Sequence, residues 1–77
     1  MNKTRRKWLE DIIGKLEEQK DELSSLQEEE QEAYDNMPES LQESERGQAA
    51  CECADDLESE CSSLEDVIQN LQEILER

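Results

Sequence analysis

The side chains with reactive potential are three thiols and a large number of carboxylates. Cys51, Cys53 and Cys61 are the thiols, and the chain contains no histidine. A C-x-C pair followed by a seven-residue gap is not a structural zinc spacing, and a fourth ligand would have to be a carboxylate. On a helix, Cys51 and Cys53 point about 200° apart, so they can share neither a metal ion nor a bond. No imidazole is present to activate a thiolate, which leaves nucleophilic catalysis without its base. The 23 Asp and Glu residues contain no distinguishable acid–base pair of the kind proton-transfer catalysis needs. We therefore expect no catalytic residue, no cofactor and no bound metal.

What remains is charge. The 23 acids stand against 8 bases, a net charge of −15, and four of the bases crowd into Lys3, Arg5, Arg6 and Lys7. Residues 8–76 hold all 23 acids against Lys15, Lys20 and Arg46, which is −20. B-DNA carries one charge per about 1.7 Å of axis, or about 28 over about 48 Å, so a rod of this length approaches duplex charge density. Such a surface repels nucleic acid and anionic membranes. It attracts the basic grooves with which proteins hold nucleic acid, with a fast and salt-sensitive on-rate. Acids on a helix exterior also serve plain solubility. The N-terminal cations have a structural reading too: an antiparallel partner helix would bring Glu73 and Glu76 beside them, with Glu10 and Asp11 one turn on.

The elements that carry these charges follow from periodicity. Leu9, Ile12, Leu16, Gln19, Leu23, Leu26, Glu30, Ala33 and Met37 recur in steps of three and four. So do Gly47, Ala50, Ala54, Leu57, Cys61, Leu64, Ile68, Leu71 and Leu75. Seams of this kind belong to helices packed side by side. Between them lie Asn36, Pro38 and Gly47, and Pro38 cannot continue a helix. Ser40 and Glu43 have the spacing of a capping box, which could start a short helical turn. The fold expected is all-α: one domain over 1–77, an antiparallel two-helix coiled-coil hairpin. Helix 1 should run over about 4–36, the connection over about 37–45 and helix 2 over about 46–76. Index sums of 80 (Leu9 with Leu71, Leu16 with Leu64) or 87 (Leu16 with Leu71, Leu23 with Leu64) both align the seams.

Each arm of roughly 30 residues is about 45 Å long, and a lone pair of such helices has a thin core. Self-association into a four-helix bundle is therefore expected, making the protein a homodimer. Trp8 and Ile13 flank the first seam, and Val67 and Ile74 flank the second. These four are the expected oligomer patch. Gln19, a polar seam residue, would set register or oligomer state. Tyr34 and Met37 would pack over the small alanines opposite. Cys61 reads as a small core hydrophobe, and Cys53 lies on the flank of the seam, where oxidation between molecules is possible. Gly14 falls on the exposed face without evident reason. No apolar run could span a bilayer, no signal peptide is recognisable, and the odd cysteine count disfavours a secreted disulfide framework. A cytoplasmic location is the expectation.

The segments EEEQEAYDNMPESLQESERG (Glu28 to Gly47) and ADDLESECSSLEDVIQNLQEILE (Ala54 to Glu76), behind MNKTRRK, resemble small acidic proteins encoded by phages and prophages of Gram-positive bacteria. The NMPESLQESERG hinge is the most specific part, and the cysteines depart from the family pattern. The resemblance implies a bacterial host cell and a host-directed inhibitor, including one aimed at a defence complex, but no catalytic residue. The function expected is thus a non-enzymatic, DNA-mimic interaction module whose partner is a protein with a basic surface. Its contact residues would be Glu28, Glu29, Glu32, Asp35, Glu52, Asp55, Asp56 and Glu58. The alternative is a structural oligomerisation scaffold without mimicry.

Overall fold

The computed structural model describes residues 1–77 and is all-helical and elongated, 58 × 15 × 13 Å. Three helices follow in order: α1 (Lys3–Asp35), α2 (Glu39–Gln42) and α3 (Glu45–Glu76). Asn2 caps α1, its side chain accepting from the Arg5 N–H at 2.8 Å. Asn36 closes that helix, donating to the Glu32 carbonyl at 2.9 Å, one residue before the expected end. Pro38, which has no N–H, then turns the chain, and its carbonyl accepts from Leu41 and Gln42 to form α2.

The expected capping box at Ser40 and Glu43 does not form. The residue preceding α2 is Pro38, which has no side-chain cap, and Ser40 lies inside that helix. The long helix is capped by Ser44, whose hydroxyl accepts from the Gly47 N–H at 3.2 Å and donates to the Leu41 carbonyl. A cap must sit directly before the turn whose donors it satisfies. For α3 only Ser44 does.

Gly47 is buried beneath α2. A Cβ there would lie within 2.6 Å of three backbone atoms, the carbonyl oxygens of Leu41 and Gln42 and the Gln42 Cα. The close packing of α2 on the first turn of α3 therefore requires glycine.

α1 and α3 pack along each other, and their hydrogen bonds fix which parts meet. Arg6 donates to the carbonyls of Leu75 and Arg77, Gln72 Nε2 to Glu17 Oε1 at 3.2 Å, and Ser24 Oγ to Cys61 Sγ at 3.8 Å. As residue number rises along α1, it falls among the partners on α3. On α3 all nine residues of its periodic stripe are buried or half-buried.

On α1 the seam differs from the expected one. Leu9, Leu16, Leu23, Glu30 and Met37 are half-buried, but their companions are Arg6, Ile13, Lys20, Gln27 and Tyr34. Ile12, Gln19, Leu26 and Ala33 are exposed instead. Both sets keep the same period and share Leu9, Leu16 and Leu23, so the difference is a rotation of α1 about its own axis. The observed face brings Arg6 to the α3 carbonyls and Tyr34 to the hinge, where the Gln42 amide donates to the Tyr34 carbonyl at 2.9 Å. Lys20 can lie along the seam on its methylenes with the ammonium in water. The register shifts accordingly. The three bonded pairs Arg6–Leu75, Ser24–Cys61 and Glu17–Gln72 have index sums of 81, 85 and 89, averaging 85, between the expected 80 and 87.

Candidate functional site

The eight acids singled out from the sequence are all exposed. They do not share one face. Glu28, Glu29, Glu32 and Asp35 project from the side of α1 turned away from α3. Glu52, Asp55 and Asp56 project from the opposite outer edge, on α3, and Glu58 lies beside them. Carboxylates thus line both long edges of the molecule near the hinge. Gln31 Nε2 donates to Asp35 at 3.0 Å. Asp55 and Glu58 border a groove of about 460 Å³ with Ser59, Ser62 and Ser63, all of them polar residues.

The charge is unevenly spread. Residues 28–60 hold 13 acids and one base, Arg46, a net −12; the remaining residues hold 10 acids and 7 bases, a net −3. Ser24, Ser25, Leu26 and Gln27 are uncharged. Everything on the hinge side of the Ser24–Cys61 contact therefore carries −12. The α3 part of that segment, Glu45 to Glu60, is about 24 Å long, so the charge spacing is about one per 2 Å. Duplex DNA has one per about 1.7 Å.

The far end is different. Lys3, Arg6, Lys7 and Glu10 surround a shallow depression. The bonded partners of Arg6 are the main-chain carbonyls at the end of α3, where a cation also opposes the negative end of the helix dipole.

The expected oligomer patch needs one correction. Trp8 is 65% exposed and Val67 47%, and Ile74 is half-buried, but Ile13 is only 6% exposed and belongs to the core. The rotation of α1 explains it: Ile12, 39% exposed, takes the outer position, and Leu26 at 46% continues the row two heptads on. Ile12, Gln19, Leu26 and Ala33 recur at seven-residue steps on one flank of α1, and Cys53, Glu60, Val67 and Ile74 do so on one flank of α3. The other flank of each helix carries Glu17, Ser24 and Gln72, which bond within the pair. The two apolar rows consequently share one side of the molecule. On that side two open grooves occur, one lined by Gln19, Glu22, Leu23 and Leu26. The other, about 350 Å³, is lined by Ala49, Glu52, Cys53, Asp56, Leu57 and Glu60.

Cys61 is half-buried in the seam beside Ser24, Cys51 is half-buried with Asp55 at 4.0 Å, and Cys53 is exposed. No three His, Cys, Asp or Glu side chains are placed to hold a metal. Gln19, expected to set the register, is exposed, and Lys20 occupies the seam. Tyr34 and Met37 are half-buried. No helix is long and apolar enough to cross a membrane. The sequence reading missed the Ser44 cap, the Arg6 contact and the Ala49–Leu57 groove. Of these only the cap had a legible signal, a serine one residue before the acid-led helix. Comparison with protein-family models, curated proteins and solved structures finds no match to this chain.

Proposed function

We propose that the chain is a non-enzymatic acidic interaction module. It is an antiparallel two-helix hairpin whose hinge half occupies a basic nucleic-acid-binding groove on a protein partner. The observation that carries this reading is the concentration of charge: −12 on the hinge side of Ser24 and Cys61, exposed along both edges. Hairpin geometry is supported by the reversed order of the Arg6, Glu17 and Ser24 contacts on α3. The partner we propose is a host or defence protein in a bacterial cytoplasm, which the module inhibits; the resemblance of the hinge and C-terminal segments to phage-encoded acidic proteins is what suggests it.

The test is a pull-down from bacterial lysate at low and high salt, with wild-type chain and a variant in which the eight acids are replaced by Lys. Mimicry requires capture that is lost in the variant, weakens with salt and is displaced by duplex DNA. Capture unchanged by charge reversal, with helicity intact, contradicts it.

A second reading has its own observation. Trp8, Ile12, Leu26 and Val67 are left exposed with Ile74 half-buried, which suits an oligomerisation scaffold.

A further inference from the structure

We infer that a second copy of this chain covers the apolar flank, lying end for end, with Trp8 of each copy seated in the Ala49–Leu57 groove of the other. The inference rests on the hairpin reading and not on nucleic-acid mimicry; it takes Glu52 and Asp56 into the contact between copies and leaves the α1 acids Glu28, Glu29, Glu32 and Asp35 free.

The first argument is area. A compact protein of 9.0 kDa exposes about 4,900 Å² by the usual scaling of surface with mass. This chain exposes 5989 Å². The excess, about 1,100 Å², goes with the 58 × 15 × 13 Å rod, in which each helix is covered along one side only. Only Ile13, Ala54, Ile68 and Gly47 are buried within one copy. A second hairpin laid on the flank would supply the missing core.

Charge decides the orientation. Side by side with hinges together, two copies would set −12 against −12. End for end, the basic end of each meets the acidic half of the other. The fit is local as well as global. Trp8, 65% exposed, shares its face of α1 with Arg5 three residues before it, and the groove is lined by Ala49, Cys53 and Leu57 together with Glu52, Asp56 and Glu60, all on α3. A large amphipathic ring with a cation on its face matches a groove that combines small residues with carboxylates.

Spacing agrees independently. Cys61 lies level with Ser24. Cys53 is eight residues from Cys61 toward the hinge, about 12 Å, and Trp8 is sixteen from Ser24 the other way, about 24 Å. Trp8 and Cys53 of one copy are thus about 36 Å apart along the axis. A two-fold axis exchanging their levels passes twelve residues from Trp8, at Lys20. The midpoint of α1 (Lys3–Asp35) is Gln19. The seat therefore uses nearly the full length of the flank.

The arrangement is testable by disulfide trapping. In a Cys51→Ala/Cys61→Ala background, Trp8→Cys should cross-link to Cys53 of a second copy on mild oxidation. Within one copy the separation far exceeds the about 7 Å limit for a bridge. A covalent dimer that disappears when Cys53→Ala is added supports the seat. A dimer that persists through a Trp8→Cys pair in that Cys53→Ala control places like ends together and overturns it. Because the trap removes the indole, sedimentation and fluorescence of the intact chain complete the test. Wild type should be a dimer, with the emission of its single tryptophan shifting to the blue as concentration rises, and Trp8→Glu should be a helical monomer. A wild-type monomer at 100 μM (about the top of a practical range) overturns the proposal. Separately, Ser24→Cys with Cys61 retained should close a bridge within one chain. Its absence would indict the hairpin rather than the dimer.

Discussion

The guanidinium of Arg6 donates to the main-chain carbonyl of Leu75, 69 residues away, and so ties the first turn of α1 to the last turn of α3. It lies among four clustered cations, yet it works on carbonyls that the helix end leaves without donors. Arg6→Ala should lower stability by about 1 kcal/mol, whereas the same change at exposed Lys3 should be nearly neutral. Urea unfolding of the two variants gives the comparison.

The two glycines should respond to alanine with opposite signs. Gly14 has open space around the position a Cβ would take, and Gly47 has three backbone atoms there. Gly14→Ala should stabilise α1 by about 1 kcal/mol through helix propensity. Gly47→Ala must push α2 off α3 and should destabilise by at least about 1–3 kcal/mol, as overpacking does. Thermal melts followed by circular dichroism test both.

Ser44→Ala removes the side-chain acceptor for the Gly47 N–H and should cost about 1 kcal/mol. Ser40→Ala, within α2, should cost far less. Faster amide exchange at Gly47 in the first variant alone is the corresponding local signature.

Ile12 and Ile13 make the clearest neighbouring pair. Ile13→Ala opens a hole in the seam and should cost about 2–4 kcal/mol. Ile12→Ala should cost much less in folding while weakening self-association, since the side chain is on the uncovered flank. Unfolding at low concentration and sedimentation at high concentration separate the two effects.

That pair also shows how far the sequence could be read. On α3 the apolar stripe is flanked by acids and serines over most of its length, so one face alone could be the seam, and Ala54, Leu57, Cys61, Leu64 and Ile68 lie in it. On α1, Leu9, Leu16 and Leu23 have apolar neighbours on both sides, Ile13 on one and Ile12 and Leu26 on the other. Periodicity finds such a helix but not its rotation. The rotation goes with Arg6 meeting the end of α3, a contact between residues 69 apart. The exposed acids were legible individually because carboxylates seldom stay buried. Their placement on two opposite edges was not, because it depends on the way the two helices face each other.

Both the charge density at the hinge and the shared apolar flank depend on the chain doubling back. A spin-label distance between positions 3 and 76 tests this most directly, using Lys3→Cys and Glu76→Cys in a chain whose three native cysteines are Ala, diluted in unlabelled protein. Adjacent helices pack 8–10 Å apart, so with label arms the expected separation is about 10–25 Å. A separation on the order of 100 Å, that of one continuous helix through residues 36–44, would contradict it.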